Sequence, residues 1–370
     1  MPIFSAILGI AILLFVLWDG FETMVLPRRV TRKVRLTRVF YRSTWRLWRG
    51  IGSRMAQGKR REWFLSIFGP LSLFLLFIIW AVSLLLSFGL VFYSAGSAGF
   101  WNCLYLSGSS FFTLGSASPS TPAYKVITVA EGGVGMGFLA LVISYLPVMY
   151  QSFSRREQVI SLLDARGGSP AAAVELLRRH GHGHALDGVN ELLRTWELWA
   201  AEVLEGHISY PVLMYFRSQH DNQSWLATLT TILDTCTLVI HGIGGQPAWQ
   251  AQLTFAMARH AVVDLAQILR TAPRAPDPDR LPHADLEQLT ATLSNAGIDF
   301  GRDPDTSARI AELRALYEPF VNSVADYLLL RLPPWLQSGR IDNWRTSAWG
   351  RISTNKSVLP LADLGDDEHR

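Results

Sequence analysis

Apolar residues in the first 150 positions form three long segments separated by polar stretches. They cover residues 4–27, 64–93 and 126–150, and each supplies the roughly 20 residues that an α-helix needs to cross a bilayer. No Lys, Arg, Asp or Glu occurs from Trp63 to Tyr124. The pattern predicts three transmembrane helices, whereas the rest of the chain has the mixed polarity of a water-exposed region.

Small, turn-forming residues interrupt the apolar region between the second and third segments, in FFTLGSASP at residues 111–119. An open loop cannot face lipid, because its N–H and C=O groups would lack partners. At membrane depth it is buried in protein or lines a water-filled cavity. The preceding residues, 97–112, have the length of one short helix. A short helix, a polar return and a full span together predict a re-entrant pore loop over residues 97–122.

The run SSFFTLGSASPSTPAYKVITVAEGGVGMGFLALVISYL resembles the pore module of potassium channels, which has an outer helix, a pore helix, a Thr-Val-Gly-Tyr-Gly filter and an inner helix. Thr113, Leu114 and Gly115 match the start of the filter, and Thr121-Pro122 resembles the Thr-Pro that often follows it. The resemblance covers about residues 64–150. The selectivity filter that it implies consists of Thr113, Leu114, Gly115, Ser116 and Ala117.

Three residues depart from the family's filter. Ser116 stands where the family has an aromatic residue that packs behind the filter, and Ser118 replaces a common acid. Ala117 stands where the family has a second glycine, in a backbone conformation unfavourable for a residue with a Cβ. Carbonyl groups of residues 113–116 remain available to surround an ion. We therefore expect cation conduction with reduced potassium selectivity.

Glycines crowd the third apolar segment behind a single acid. Glu131 precedes Gly135 by four residues, and Phe138-Leu-Ala-Leu141 follows, as in the family's inner helix. The glycines allow either close helix packing or a bend that opens the pore. Glu131 is expected to pair with the pore-loop backbone or with hydroxyls such as those of Ser120 and Thr121; direct ion binding is the alternative. The predicted gating residues are Glu131, Gly132, Gly133, Gly135 and Gly137.

Positive charge is concentrated between the first two apolar segments. Residues 28–61 hold 13 Lys or Arg and no acid. The positive-inside rule therefore places residues 28–62 and the C-terminal region in the cytoplasm and the N-terminus outside. Helical spacing predicts an amphipathic helix on the inner leaflet, as an anchor or a lipid sensor, with arginines among phosphates and tryptophans at the interface. Its membrane-surface residues are Arg32, Arg35, Arg38, Arg42, Arg46, Trp45 and Trp48.

Two acids, Asp19 and Glu22, fall near the end of the first apolar segment. One interpretation is interfacial solvation or pairing with Arg28 and Arg29. The other is a buried acid with a gating or ion-path role, because ionisable residues inside a membrane are rare and often functional.

Residues 151–340 predict an all-helical cytoplasmic domain, followed by a tail at 341–370 with little order expected after Pro333. The proline-rich residues 271–285 predict a loop. No strand–helix alternation and no Gly-rich phosphate loop occur, so a nucleotide-binding domain is not supported. The predicted helices cover residues 155–167, 169–181, 186–206, 222–242, 247–270 and 306–332.

Three features of this region have alternative interpretations. The histidines of HGHGH, residues 180–184, are either a metal site or a solvated helix end, and we expect no metal there. Residues 225–245 are a fourth span or, given Asp234, a core helix. Residues 217–224 form a ligand pocket or a helix cap and loop.

The sequence thus predicts an all-α membrane protein: one extra transmembrane helix, then an outer helix–pore loop–inner helix module over 63–150, then a helical cytoplasmic domain. The resemblance implies a multi-pass inner-membrane homotetramer in contact with lipids. It would pass K⁺ or another monovalent cation and need no cofactor or nucleic acid. The alternative is a non-conducting scaffold or sensor that reuses the pore fold. No motif supports an enzyme.

Overall fold

The computed structural model describes residues 2–26, 35–96, 99–116, 121–181, 186–219, 222–243, 246–301 and 305–337. Every regular element within these residues is a helix, which confirms the predicted all-α fold class. The chain divides into two compact units. The first unit holds residues 1–152 and 208–216, and the second holds residues 153–207 and 217–370.

The helices of the first unit follow the apolar segments of the sequence. α1, α3 and α5 contain the three predicted spans, and α4 precedes the pore loop. Both α3 and α5 run beyond their apolar segments into charged residues. The backbone hydrogen bonds of an α-helix join residues four positions apart and do not require apolar side chains. The elements are α1 (Pro2–Met24), α2 (Leu36–Gly52), α3 (Lys59–Ala95), α4 (Phe100–Phe111), α5 (Pro122–Gly167, in this unit as far as residue 152) and a 3₁₀ helix (Pro211–Tyr215).

The two acids of α1 are buried and tie it to its neighbours. Asp19 Oδ2 accepts hydrogen bonds from Thr37 Oγ1 at 2.6 Å and from Trp80 Nε1 at 3.1 Å. Glu22 lies 3.4 Å from Arg35 Nε. The acids are therefore buried and not solvated. The predicted partners Arg28 and Arg29 lie outside the described residues.

The aromatic side of α2 faces the protein, which corrects the expectation that its tryptophans lie at the lipid interface. Trp45 is 2% exposed and packs edge-on against Phe68 of α3, with ring centroids 4.8 Å apart. Trp48 stacks on Phe64 at 4.5 Å and donates its Nε1–H to the Phe64 carbonyl. Packing against α3 lets these rings form the offset-stacked and edge-on contacts that stabilise aromatic pairs. Arg42 and Arg46 are on the exposed side, and Arg32 lies outside the described residues.

Helices also build the second unit, after the last turns of α5. Apart from the unpredicted α10, they follow the predicted positions. They are α6 (Ala173–Gly181), α7 (Leu186–Ser209), α8 (Trp225–Leu238, extended by a π-helical turn to Ile243), α9 (Gln246–Leu269), α10 (His283–Asn295), α11 (Thr306–Ala315) and α12 (Glu318–Leu328).

The C-terminal part of this unit corrects two expectations. The single helix predicted over 306–332 breaks into α11 and α12, because Pro319 lacks an N–H group and starts a new helix. The expected loss of order after Pro333 is wrong for the described residues, since Trp335 is 1% exposed. Its ring lies 5.6 Å from the guanidinium carbons of both Arg280 and Arg314.

α8 is as apolar as a membrane span, yet it lies inside the second unit. Within the part of the chain that the structure describes, four helices are by length and composition alone long and apolar enough to cross a membrane: α1, α3, α5 and α8. Protein buries 78% of the apolar stretch in α8, against 11% in α5. Asp234 of α8 binds Arg280 at 2.6 Å and Tyr317 Oη at 2.5 Å. This surrounding of charged and aromatic side chains favours the core-helix interpretation.

The other polar features of the second unit are structural. His180 Nδ1 donates to the Leu176 carbonyl at 2.8 Å, and the histidines at 182 and 184 lie outside the described residues. Ser224 caps α8 by accepting a bond from Ala227 N at 3.0 Å. Arg217 donates to the Leu328 carbonyl. Residues 222–224 border a void of only about 10 Å³, which favours the cap-and-loop interpretation over a ligand pocket.

Candidate functional site: the pore loop and the helices behind it

The pore loop is held in place by α4, whose apolar side is buried against α3 and α5. Cys103 and Leu106 of α4 pack with Phe92 of α3 and Tyr124 of α5 in one cluster. Apolar residues three positions apart place one face of a helix toward its neighbours. Because α4 leads directly into the loop, this cluster fixes the point at which the loop begins.

Backbone N–H groups of the loop turn back onto the end of α4. Thr113 N donates to the Ser110 carbonyl at 3.1 Å, and Leu114 N donates to the Ser109 carbonyl at 2.8 Å. These bonds satisfy carbonyls that a helix end otherwise leaves unpaired. In a trans peptide the C=O points opposite to the N–H, so the carbonyls of Phe112 and Thr113 point away from α4.

The backbone of the loop alternates between left-handed and ordinary conformations. Thr113 has φ +55° and Gly115 has φ +65°, whereas Leu114 between them does not have a positive φ. Such alternation turns successive peptide groups toward the same side of the chain. A β-branched residue at positive φ is rare and costs about 1–2 kcal/mol. Strain of this kind, held by the surrounding structure, is typical of functional sites.

Ser116 is bound to the pore helix where the family has an aromatic residue. Its Oγ lies 3.1 Å from Ser109 Oγ in α4. A single hydroxyl bond replaces ring packing, so the width of the loop is less firmly set at this position. Leu114 is 67% exposed in the single chain. The predicted filter residue Ala117 lies outside the described residues.

Gly135 allows α5 to approach the end of α4 closely. A Cβ at this position would lie 2.3 Å from the Phe111 carbonyl oxygen, a distance that real side chains do not adopt. A Cβ added to Gly132 would lie 3.8 Å from the Ser110 carbonyl oxygen of α4. A Cβ added to Gly133 or Gly137 would have no neighbouring atom within 4 Å. At Gly135 the structure favours the packing interpretation over the hinge.

Glu131 joins three helices. It is fully buried, and its Oε1 lies 2.5 Å from Ser107 Oγ of α4, which itself lies 2.9 Å from the Leu85 carbonyl of α3. A hydroxyl has one proton, so Ser107 cannot donate to both oxygens. A protonated Glu131 that donates to Ser107, which then donates to Leu85, accounts for both of these contacts, while Oε2 of Glu131 is buried with no hydrogen-bond partner among the described residues. The partner is thus a hydroxyl within the predicted pore-loop residues 97–122, but it is Ser107 of α4 and not Thr121; Ser120 lies outside the described residues.

Two serines of this site, Ser107 and Ser109, were not predicted from the sequence. Both are buried in α4, at 0% and 4% exposure. A signal existed, since buried hydroxyls in an apolar helix require hydrogen-bond partners. Their partners are distant in the sequence, however, and no local pattern identifies them.

The site thus consists of three parts. They are a loop with a strained backbone at Thr113, the helix α4 that precedes it, and the long helix α5, which packs closely against the end of α4 at Gly135. Residues 79–152 match the model of a protein family described as Ion channel, and the match ends where the first long stretch of the first unit ends. No curated protein and no solved structure matches the chain. Residues 79–152 of this multi-pass membrane protein are therefore an ion channel domain, consistent with a pore module of the potassium channel family.

Proposed function

We propose that the chain is one subunit of a homotetrameric, potassium-channel-like pore for passive transport of monovalent cations. The observation that carries the proposal is the loop at Thr113–Ser116, with its alternating backbone and with the Thr113 carbonyl directed away from α4. Filter carbonyls replace the hydration shell of a permeating ion. K⁺ or a similar cation is the substrate, and transport requires no cofactor or catalytic residue.

Four copies around one axis would complete both the filter and the surface of α5. One side of α5 is buried through Tyr124, Glu131 and Tyr145, while the opposite side is exposed and apolar. Protein buries only 11% of its apolar stretch in the single chain. The exposed side carries Val126, Val129, Met136, Leu139 and Ile143, together with Gly133 and Gly137.

The basic residues between α1 and α3 give the proposed orientation. Thirteen Lys or Arg without an acid at residues 28–61 favour the cytoplasmic side of the inner membrane, next to anionic lipid. The N-terminus then lies outside, and the helical second unit lies in the cytoplasm. We assign to that unit the modulation of the gate.

Ion flux from liposomes that contain the full chain tests the proposal. We expect K⁺ and Na⁺ efflux, with a modest preference for K⁺ because Ser116 replaces the aromatic residue. Gly115→Asp should abolish both fluxes by placing a charge in the loop. Gly297→Asp is the matched control, since Gly297 also has a positive φ and open space around it. Flux that survives Gly115→Asp would contradict the proposal.

Two further measurements separate a pore from the alternative, a scaffold that reuses the fold. The double substitution Ser116→Tyr and Ala117→Gly should raise the K⁺/Na⁺ flux ratio of a pore and leave a scaffold silent. Chemical crosslinking in mild detergent should proceed to four chains. A clean monomer or dimer would exclude the proposed assembly.

A further inference from the structure

Residues 208–216, which we term the return segment, are part of the first unit although the second unit precedes and follows them in the chain. The segment consists of the last residues of α7, the 3₁₀ helix Pro211–Tyr215 and Phe216. It lies at the ends of α3 and α5 remote from the pore loop, because its neighbours are Phe68 and Gly69 of α3 and Tyr145 and Tyr150 of α5.

Tyr215 of the return segment sits within an aromatic cluster formed with α2 and α3. Its ring stacks on Tyr41 with centroids 5.8 Å apart and planes inclined by 8°. It meets Trp45 at 5.1 Å and Phe68 at 5.2 Å in tilted or edge-on geometry. Offset and edge-on contacts are the favourable arrangements of aromatic rings, so the cluster fixes the segment to both helices.

Phe216 fills a notch that only glycine leaves open. A Cβ on Gly69 would lie 2.6 Å from Cδ2 of the Phe216 ring. Phe216 is itself 5% exposed. Contact between a ring and a helix backbone at this distance admits no larger side chain at residue 69 without a shift of the segment.

The same segment also holds α5. Tyr210 lies edge-on to Tyr145, with ring centroids 5.2 Å apart, and Phe216 lies edge-on to Tyr150 at 6.5 Å. Tyr145 is 7% exposed and also meets Phe77 of α3. One short stretch of chain therefore contacts the outer helix, α2 and the pore-lining helix at one level.

We propose that the return segment is a clamp that positions the far end of α5 against α3 and so holds the pore closed. The proposal rests on the function proposed above. Splaying of α5 away from α3 at this level requires separation of Tyr145 from Tyr210 and of Tyr150 from Phe216. Because the chain enters the clamp from α7 and leaves it toward α8, displacement of residues 207 or 217 acts on it directly.

Two substitutions disrupt the clamp, one on each side of the contact between Phe216 and Gly69. Phe216→Ala removes the ring from the notch, and Gly69→Val fills the notch and expels the ring. Two matched controls leave it intact. Gly50→Ala adds a Cβ in open space on α2, and Tyr210→Phe keeps the ring that meets Tyr145.

The experiment measures two quantities on the full chain in liposomes: basal K⁺ flux, and the mobility of a spin label at Val148→Cys on α5, where the native side chain is 47% exposed. We expect both disruptive variants to raise flux several-fold and to increase label mobility, with both controls at the wild-type value. Unchanged mobility and flux in Phe216→Ala and Gly69→Val would overturn the clamp. If label mobility increases in the two disruptive variants but neither the wild type nor any variant shows K⁺ flux, the result would support the clamp and refute conduction.

Discussion

Two helices, α3 in the first unit and α8 in the second, are both long and apolar enough to cross a membrane, but their surroundings differ. The neighbours of α3 approach it closely at glycine and through side-chain hydrogen bonds: a Cβ on Gly9 of α1 would lie 2.6 Å from the Ser87 carbonyl, and Trp80 donates to Asp19. α8 is surrounded by charge, with Asp234 bound to Arg280. Hydropathy measures how apolar a helix is, and only its partners show whether lipid or protein covers it.

The charged network around α8 is extensive. Arg280 pairs with Asp234 and with Glu318 at 3.0 Å, and Glu318 pairs with Arg314 at 3.1 Å. Arg314 also pairs with Asp279. Both arginines lie over the Trp335 ring. Such a network requires every member, since removal of one partner leaves an unpaired buried charge.

A substitution that breaks this network is expected to have the largest effect on stability. Asp234→Leu should destabilise the second unit by about 3–5 kcal/mol, because Arg280 loses its buried partner. Chemical denaturation of the full chain in detergent, followed by near-ultraviolet circular dichroism, measures the change. Asp326→Asn is the matched control, since Asp326 pairs with Arg274 at the surface, where an ion pair contributes about 0–1 kcal/mol. Equal losses in the two variants would contradict the description of α8 as a core helix.

The corresponding test in the first unit is at Gly135. Gly135→Ala should force α4 and α5 apart at a strain of about 1–3 kcal/mol, since its Cβ would meet the Phe111 carbonyl. The pore loop would move with α4, so K⁺ flux should fall sharply. Gly20→Ala of α1 adds the same methyl group in open space and should leave flux unchanged. Normal flux in Gly135→Ala would show that the close approach is dispensable.

The sequence specified the spans and the loop because their signals are local. Apolar length alone located α1, α3 and α5, and the turn residues at 113–116 located the pore loop. The notch at Gly69, by contrast, depends on Phe216, far along the chain, and the aromatic side of α2 depends on Tyr215. Helical periodicity shows that a face is apolar, but it does not identify what covers the face.

The candidate site was predictable to a similar extent. The resemblance to potassium channels singled out Thr113–Ser116 and Gly135, whose roles stay predictions, but it did not identify Ser107 as the partner of Glu131. Nothing in the spacing of Glu131 distinguishes Ser107 from Ser120 or Thr121, because the choice depends on how α4 and α5 pack. The start of α10 at His283 escaped detection since the preceding prolines suggested a continuous loop.

Substitutions of Glu131 test whether its contact with Ser107 is a neutral hydrogen bond or involves a charge. Glu131→Gln keeps a neutral donor for Ser107 and should retain most of the flux. Glu131→Ala removes a hydrogen bond worth about 0.5–1.5 kcal/mol and should reduce tetramer stability and flux together. K⁺ flux from liposomes and thermal unfolding of the protein in liposomes are measured for both variants. A Gln variant as impaired as the Ala variant would indicate that Glu131 acts as a charge.

The smallest effect concerns His207 in the second unit. Burial, with the nearby Arg156 charge, lowers the pKa of His207 to about 3. The unfolded chain binds a proton on this histidine below about pH 6.5, whereas the folded protein does so only near pH 3. Stability should therefore fall as pH decreases between these values. His207→Gln should reduce the proton uptake on unfolding by about one, measured from the pH dependence of denaturation. An identical pH dependence would contradict this assignment.

In the proposed pore, ions pass along the loop at Thr113. Its most direct test is current through planar bilayers for Thr113→Cys exposed to a membrane-impermeant, cationic thiol reagent. The wild-type cysteines, Cys103 and Cys236, are 1% and 0% exposed and should not react. We expect the reagent to block current in Thr113→Cys, more slowly at high K⁺, and to leave the wild type unaffected. Complete labelling of Thr113→Cys with undiminished current would contradict it.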